Sequence, residues 1–328
     1  MIDISCKYMG LLLKSPVIVG SCGLTNSVEK MKEMEACGAG AVVLKSIFEE
    51  QITNEVKQNV DNANFDASFR NASDYIKGYT EMISYSKYTN FIREAKKELS
   101  IPVIASINCT SDGDWVSSAK RIENAGADAL ELNIFFLPAD FNKSGIANEE
   151  VYFKIIEHIK ASINIPIAIK TSYYFSGLAK MLQTFSYMGI HALVLFNRFL
   201  APDIDIEKMQ LKAADVFKEG EGFHNSLRWI AIMHNKVSCS LSATSGIASG
   251  SDVIKQLLAG ADTVQVATAL YNNGIGHIKT IHDELQAWMK RHKYNSIEEF
   301  RGKMSFDNID NPDTYLRIQF MKHFAGIE

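Results

Sequence analysis

Eight short apolar segments, each closing on polar or small residues, run through the chain: PVIVGSC (16–22), AVVLKS (41–46), PVIASINC (102–109), ALELNI (129–134), PIAIKTS (166–172), ALVLFNR (192–198), SCSLSAT (238–244) and TVQVATA (263–269). Nearly unbroken Val/Ile/Leu/Ala runs mark strands buried on both faces, whereas a half-exposed sheet alternates apolar with polar. Helix-like segments follow most of them. Strand-then-helix units in this number predict an α/β fold closed as a TIM (β/α)8 barrel, whose active site lies at the carboxyl ends of the strands. The polar residues there converge on one face: Cys22, Lys45, Ser46, Asn108, Asn133, Lys170, Asn197, Thr244 and Thr268.

A chain of 328 residues suits one such barrel with insertions. We divide it into a barrel over 1–304 and a C-terminal extension over 305–328 that packs on the barrel or on a partner subunit. The composition, 47% hydrophobic and 22% charged, builds a core without disulfides or metals. A net charge of −4 gives no reason to expect nucleic acid or an anionic membrane as partner. Cys6, Cys22, Cys37, Cys109 and Cys239 form no CxxC pair and have no histidine at ligand spacing, so neither a disulfide framework nor a metal site is expected. The MIDISCKYMG start lacks the features of a signal peptide, and no apolar run approaches the ~20 residues that cross a bilayer. The cytoplasm is the expected location.

Ser27 to Cys37 reads as the first helix, capped by the Thr25-Asn26-Ser27 oxygens and stopped at Gly38. The helices after strands three and seven start near Ser111-Asp112 and Ser249–Asp252 and stop at Gly126 and Gly260. Two connections exceed simple turns. The one after strand two (47–83) sets Asn54, Asn59, Asn62, Asn64 and Asn71 among Phe65, Phe69 and Tyr75; the one after strand six covers 199–225. On the catalytic face such excursions form lids or substrate walls, or merely decorate the surface.

Ser242–Gly250 is a run of small residues entering a helix, and Val266–Ala269 ends strand eight. Loops after strands seven and eight commonly hold a phosphate, with backbone N–H groups reaching it past small side chains. The same small residues would also serve tight packing. Lys45 and Lys170 both end apolar strands, where a lysine needs an anion or acceptor. An anionic or strongly accepting cofactor meets that need; so does an ion pair inside the barrel, with Glu131 the candidate. Asn108, Asn133 and Asn197 each donate and accept, which suits a planar heterocycle with imide edges, or local capping. Among the histidines, only His224, near the end of the second excursion, lies where a site residue would.

The segments SPVIVGSCGLTN (15–26), AVVLKS, ALELNI, IAIKTSYY (167–174), SGIASGSD (245–252), VQVATALYNNG (264–274) and SIEEFRGKM (296–304) together resemble the dihydroorotate dehydrogenase family, particularly its soluble class 1 branch. That resemblance covers about residues 3 to 303 and implies an FMN-dependent oxidoreductase passing hydride between a small planar, pyrimidine-like substrate and flavin N5, as in pyrimidine biosynthesis. It implies that Ser245, Gly246, Ala267 and Thr268 hold the phosphate through backbone, that Ser21, Gly23, Lys45 and Ser46 line the ring, and that Lys170 faces the N1/O2 edge. Asn133 would stand between cofactor and substrate, and Asn197 would bond the substrate. A homodimer is implied too. Fumarate or a similar small molecule is the implied acceptor; use of NAD would require another subunit, since the chain has no GxGxxG motif.

The match breaks at the base. Class 1 members carry a catalytic cysteine in a pattern like ELNLSCPN, and the membrane-associated class carries serine there. Here Phe136 falls at that position and Pro138 replaces a family Asn, while the SMGLPN segment is missing from 47–83. A positioned base contributes ~10²–10⁴-fold. Cys109, Tyr173, Tyr174 and Asp140 are the substitutes within sequence reach. Two alternatives follow: FMN-dependent turnover of a less polar substrate, or a catalytically impaired flavin-binding protein.

Overall fold

Hydrogen bonding joins eight parallel strands in a ring: β1 (Val17–Val19), β2 (Ala41–Val43), β3 (Val103–Asn108), β4 (Ala129–Asn133), β5 (Ile167–Thr171), β6 (Ala192–Leu195), β7 (Ser240–Thr244) and β8 (Thr263–Val266). Val264 pairs with Val17 and Val266 with Val19, which closes the barrel. This computed structural model describes residues 2–48, 85–108, 114–198, 202–213 and 220–316.

Alternation within each strand sorts the side chains into two cores. Outward-facing Val42, Leu130, Ile169, Leu193 and Leu241 pack with the surrounding helices. Inward-facing Ile18, Ala41, Val43, Ile104, Ala129, Ala168, Ala192 and Val194 form a separate cluster. Its alanines leave room that Tyr8 and Met9 fill, delivered by an antiparallel hairpin of Cys6–Tyr8 and Leu11–Leu13. The Met9 amide donates to Ser240 Oγ at 3.2 Å, which ties this plug to β7.

The helices are α1 (Val28–Ala36), α2 (85–98), α3 (Asp114–Asn124), α4 (Gly145–Lys160), α5 (Leu178–Tyr187), α6 (Phe223–Met233), α7 (Gly250–Ala259), the short α8 (Thr268–Asn273) and α9 (His277–His292). Their ends follow the local chemistry. Ser27 caps α1 by accepting from the Lys30 amide, and Ser249 with Asp252 forms a reciprocal capping box on α7. Gly260 ends α7 in the left-handed conformation.

The lid reading of the first excursion falls almost wholly outside the described residues; its start, Ile47–Phe48, extends parallel to Ile107 and Asn108 of β3. The second excursion contains an antiparallel hairpin of Pro202–Asp205 and Gln210–Ala213. The start of the C-terminal extension lies on the barrel's outer layer: Phe306 N donates to Ala231 O of α6 at 2.9 Å, and Lys236 pairs with Asp307 at 2.8 Å. No helix among the described residues is long and apolar enough to cross a membrane.

Candidate active site

Inside the barrel, below its carboxyl-end mouth, three polar side chains lock together. Glu131 of β4 is 1% exposed. Gln265 of β8 donates its amide to Glu131 Oε2 at 2.7 Å, and its carbonyl oxygen accepts from Lys170 Nζ of β5 at 3.3 Å. The same ammonium stands 3.7 Å from Glu131 Oε1. Lys170 is thus partly buried, its side chain 12% exposed, and the ion pair with Glu131 exists alongside its place in the cavity wall. Lys45 departs from the expectation: it is exposed, two residues past the end of β2 and in the break before Ile47–Phe48 pairs with β3.

Above this layer Asn197, just past β6, donates its side-chain amide to Asn133 Oδ1 at 2.7 Å. Each amide has capacity left over, so the pair still presents donor and acceptor positions to a planar polar edge. On the opposite wall, Ser46 links Ser21 and Ser106 through hydroxyl contacts of 3.0 and 2.7 Å. Asn108 ends β3, half-buried. Gly23 begins a tight turn against the Tyr271 hydroxyl, which a Cβ would approach to 2.7 Å.

Lys170, Ser21, Asn197 and Thr244 share a cavity of about 210 Å³ with Ser245, Gly246, Ala267 and Thr268. Ser245 and Gly246 carry φ of 75° and 71°. Such turns set successive N–H groups side by side, an arrangement suited to an anion. A Cβ on Gly246 would come within 2.8 Å of the Gly220 and Glu221 backbone, so only glycine fits. Ser245 Oγ donates to Phe196 O at 2.9 Å and joins this cradle to the end of β6.

A second cavity, about 150 Å³, adjoins the first and shares Phe196, Asn197, Arg198 and Ser245 with it. Tyr173 and Tyr174 line it, their rings 4.8 Å apart, with Tyr173 edge-on to Phe196 and Tyr174 edge-on to Phe135. Arg198 and Glu221 pair across it at 2.6 Å.

Phe136, which the motif resemblance sets at the family's base position, does not line either cavity. Its ring packs edge-on against Tyr152 of α4 at 5.6 Å, and its amide donates to the Tyr152 hydroxyl. The alternation that turns Asn133 inward turns Ile134 into the outer core, and Phe136 follows it. Among the substitute bases, Cys109 lies outside the described residues. Asp140 sits on an exposed loop, accepting from the Asn142 amide. Partial burial, then Tyr174, raise the Tyr173 hydroxyl above its ordinary range, which disfavours the tyrosinate that a base would need. His224 is exposed on α6 and stacks edge-on to Phe223.

Sequence reasoning missed Gln265, Phe196, Arg198 and Glu221 as site residues. Gln265 was visible as a polar residue inside an apolar strand, and Arg198 as the residue following Asn197 at the end of β6. Phe196 and Glu221 carry no such mark.

The dihydroorotate dehydrogenase family model matches residues 3–289. A dihydroorotate dehydrogenase B (NAD(+)) catalytic subunit of Thermoplasma volcanium is 26% identical over 313 residues, covering 92% of this chain and 98% of that protein. A chloroplastic dihydropyrimidine dehydrogenase (NADP(+)) of Arabidopsis thaliana is 26% identical, covering 92% and 76%. A putative dihydroorotate dehydrogenase A (fumarate) of Aeropyrum pernix is 25% identical, covering 66% and 72%.

Proposed function

Because the chain belongs to the dihydroorotate dehydrogenase family, we propose that it is an FMN-dependent oxidoreductase acting on a CH–CH bond of a small planar substrate. FMN would supply the hydride-accepting or hydride-donating centre at N5. The Ser245–Gly246 and Ala267–Thr268 backbone would hold its phosphate, and Ser21, Gly23, Lys45 and Ser46 would line its ring. Lys170 would place a fixed positive charge where negative charge gathers on reduction. Asn133 and Asn197 would orient the substrate through the amide positions their mutual bond leaves open. The observation that carries the reading is one cavity that joins a left-handed backbone cradle to an ammonium and a carboxamide.

A second reading concerns direction and substrate. Phe136 offers no base, and Tyr173 holds its proton beside Asn197 in a cavity walled by Tyr174 and Phe196. Those features favour reduction of an activated double bond in a less polar substrate, with solvent supplying the proton. Family likeness supports a homodimer in the cytoplasm. A relative named as an NAD(+)-linked catalytic subunit supports an acceptor reached through another subunit.

The visible spectrum of purified protein tests the cofactor. Colourless protein that takes up no added FMN sinks the reading. Anaerobic titration with dihydroorotate, cyclic imides and enones then separates the substrates: flavin bleached by dihydroorotate supports the pyrimidine reaction, and reduced flavin reoxidised only by enones supports the second.

A further inference from the structure

We propose that Glu131 is a positioning residue, the buried counter-charge that holds the Lys170 ammonium at the cavity wall and offsets part of its field there. The inference rests on the FMN reading. A carboxylate buried to 1% exposure carries a heavy desolvation cost that the barrel core does not require, since Ala129, Ala168 and Ile18 belong to the same inward-facing layer as apolar residues.

Among the described residues, burial and distance together distinguish this pair: the other pairs that stand off at 3.7–3.9 Å, Lys14–Glu35, Lys208–Asp205 and Lys255–Asp252, have lysine side chains at least 47% exposed, against 12% for Lys170. Lys96 meets Asp128 at 2.7 Å and Arg198 meets Glu221 at 2.6 Å, both in closed hydrogen-bonded contact. Lys170 stands off at 3.7 Å from Glu131. Gln265 keeps it there: its N–H engages one carboxylate oxygen while its carbonyl accepts from the ammonium. The ammonium therefore retains donor capacity toward the cavity. Two phenols, Tyr8 and Tyr88, also feel Glu131. Burial first, with that charge adding to it and hydrogen bonds to Ser242 and Ser106 partly opposing it, raises both above their ordinary range and leaves them uncharged. Among the described residues, Lys170 is left to balance the carboxylate.

Bound FMN gains negative charge on two-electron reduction, which the ammonium favours and the carboxylate opposes. Removing the carboxylate's charge must raise the midpoint potential. The test is anaerobic dye-linked redox titration of wild type, E131Q, K170M and E131Q/K170M, each reconstituted with FMN. The expected order is E131Q above wild type, K170M below it, and the double variant between the two single variants. A potential in E131Q that is unchanged or lower overturns the proposal while leaving FMN binding standing. Wild type that takes up no FMN overturns both. Should E131Q not fold, Gln265→Leu removes the spacer and lets carboxylate close on ammonium. Its midpoint is expected to fall, and one that is unchanged or raised overturns the proposal.

Discussion

Asn197 Nδ2 donates to Asn133 Oδ1 at 2.7 Å, across strands that are not neighbours in the barrel. The bond fixes two amides that separate backbone elements would otherwise leave to rotate, and it spans the mouth above Lys170. Replacing Asn197 by Ala leaves the 8%-exposed Asn133 without that donor. A lost bond to a buried group costs roughly 1–3 kcal/mol. The expected result is a fall in kcat/KM of about 10–100-fold with flavin content unchanged, measured with whichever substrate turns over the wild type.

Lys170→Met strands the Glu131 charge in the barrel. Breaking a buried pair by removing one partner costs about 3–5 kcal/mol, whereas replacing both by apolar groups is often neutral. Urea unfolding should therefore show a large loss for Lys170→Met and recovery of most of it in the Glu131→Leu/Lys170→Met double variant. Equal losses in the two would mean the pair carries no desolvation debt.

The barrel was legible because a strand buried on both faces leaves a direct trace in residue type, and the convergence of Lys170, Asn133 and Asn197 follows from strand parity. Lys45 shows where that logic stops: in the break between the β2 ladder and the Ile47–Phe48 pairing, parity no longer implies burial. Phe136 shows the converse. A position that matches a family motif in sequence need not face the site, because the packing demand of Tyr152 decides where the ring goes. Gln265 was missed for another reason: nothing local to β8 shows that its amide bridges Glu131 and Lys170, which come from two other strands.

Phe136→Cys restores the family's residue type without restoring its role, because the side chain points into the outer aromatic cluster. Truncating this half-buried ring should cost about 1–3 kcal/mol through the cavity it leaves against Tyr152. Dihydroorotate oxidation should not rise. A tenfold gain in flavin bleaching by dihydroorotate would show that the loop swings its residue into the site.

Gly246→Ala tests the cradle. The added Cβ meets the backbone of Gly220 and Glu221 at 2.8 Å, and a φ of 71° disfavours any side chain. Backbone must shift to admit it, which misaligns the amides proposed for the phosphate. Flavin content after purification should fall, and the FMN dissociation constant should rise at least tenfold, with the far-ultraviolet spectrum preserved.

His282 supplies a pH dependence far from the site. Its Nε2 contacts Ser15 Oγ at 3.0 Å, and burial pushes its pKa down from 6.5 to about 4. Above pH 6.5 the ring is neutral in both folded and unfolded chains and costs nothing. As pH falls from 6.5 toward 4, the unfolded chain binds a proton the folded chain refuses, so stability declines by about 1.4 kcal/mol per unit, roughly 3 kcal/mol in all. Below pH 4 the contribution levels off. His282→Gln keeps a polar partner for Ser15 but does not titrate, so its unfolding free energy should vary less between pH 7 and pH 5 than that of wild type. Parallel pH profiles for the two proteins would mean that the imidazole titrates alike in the folded and unfolded chains.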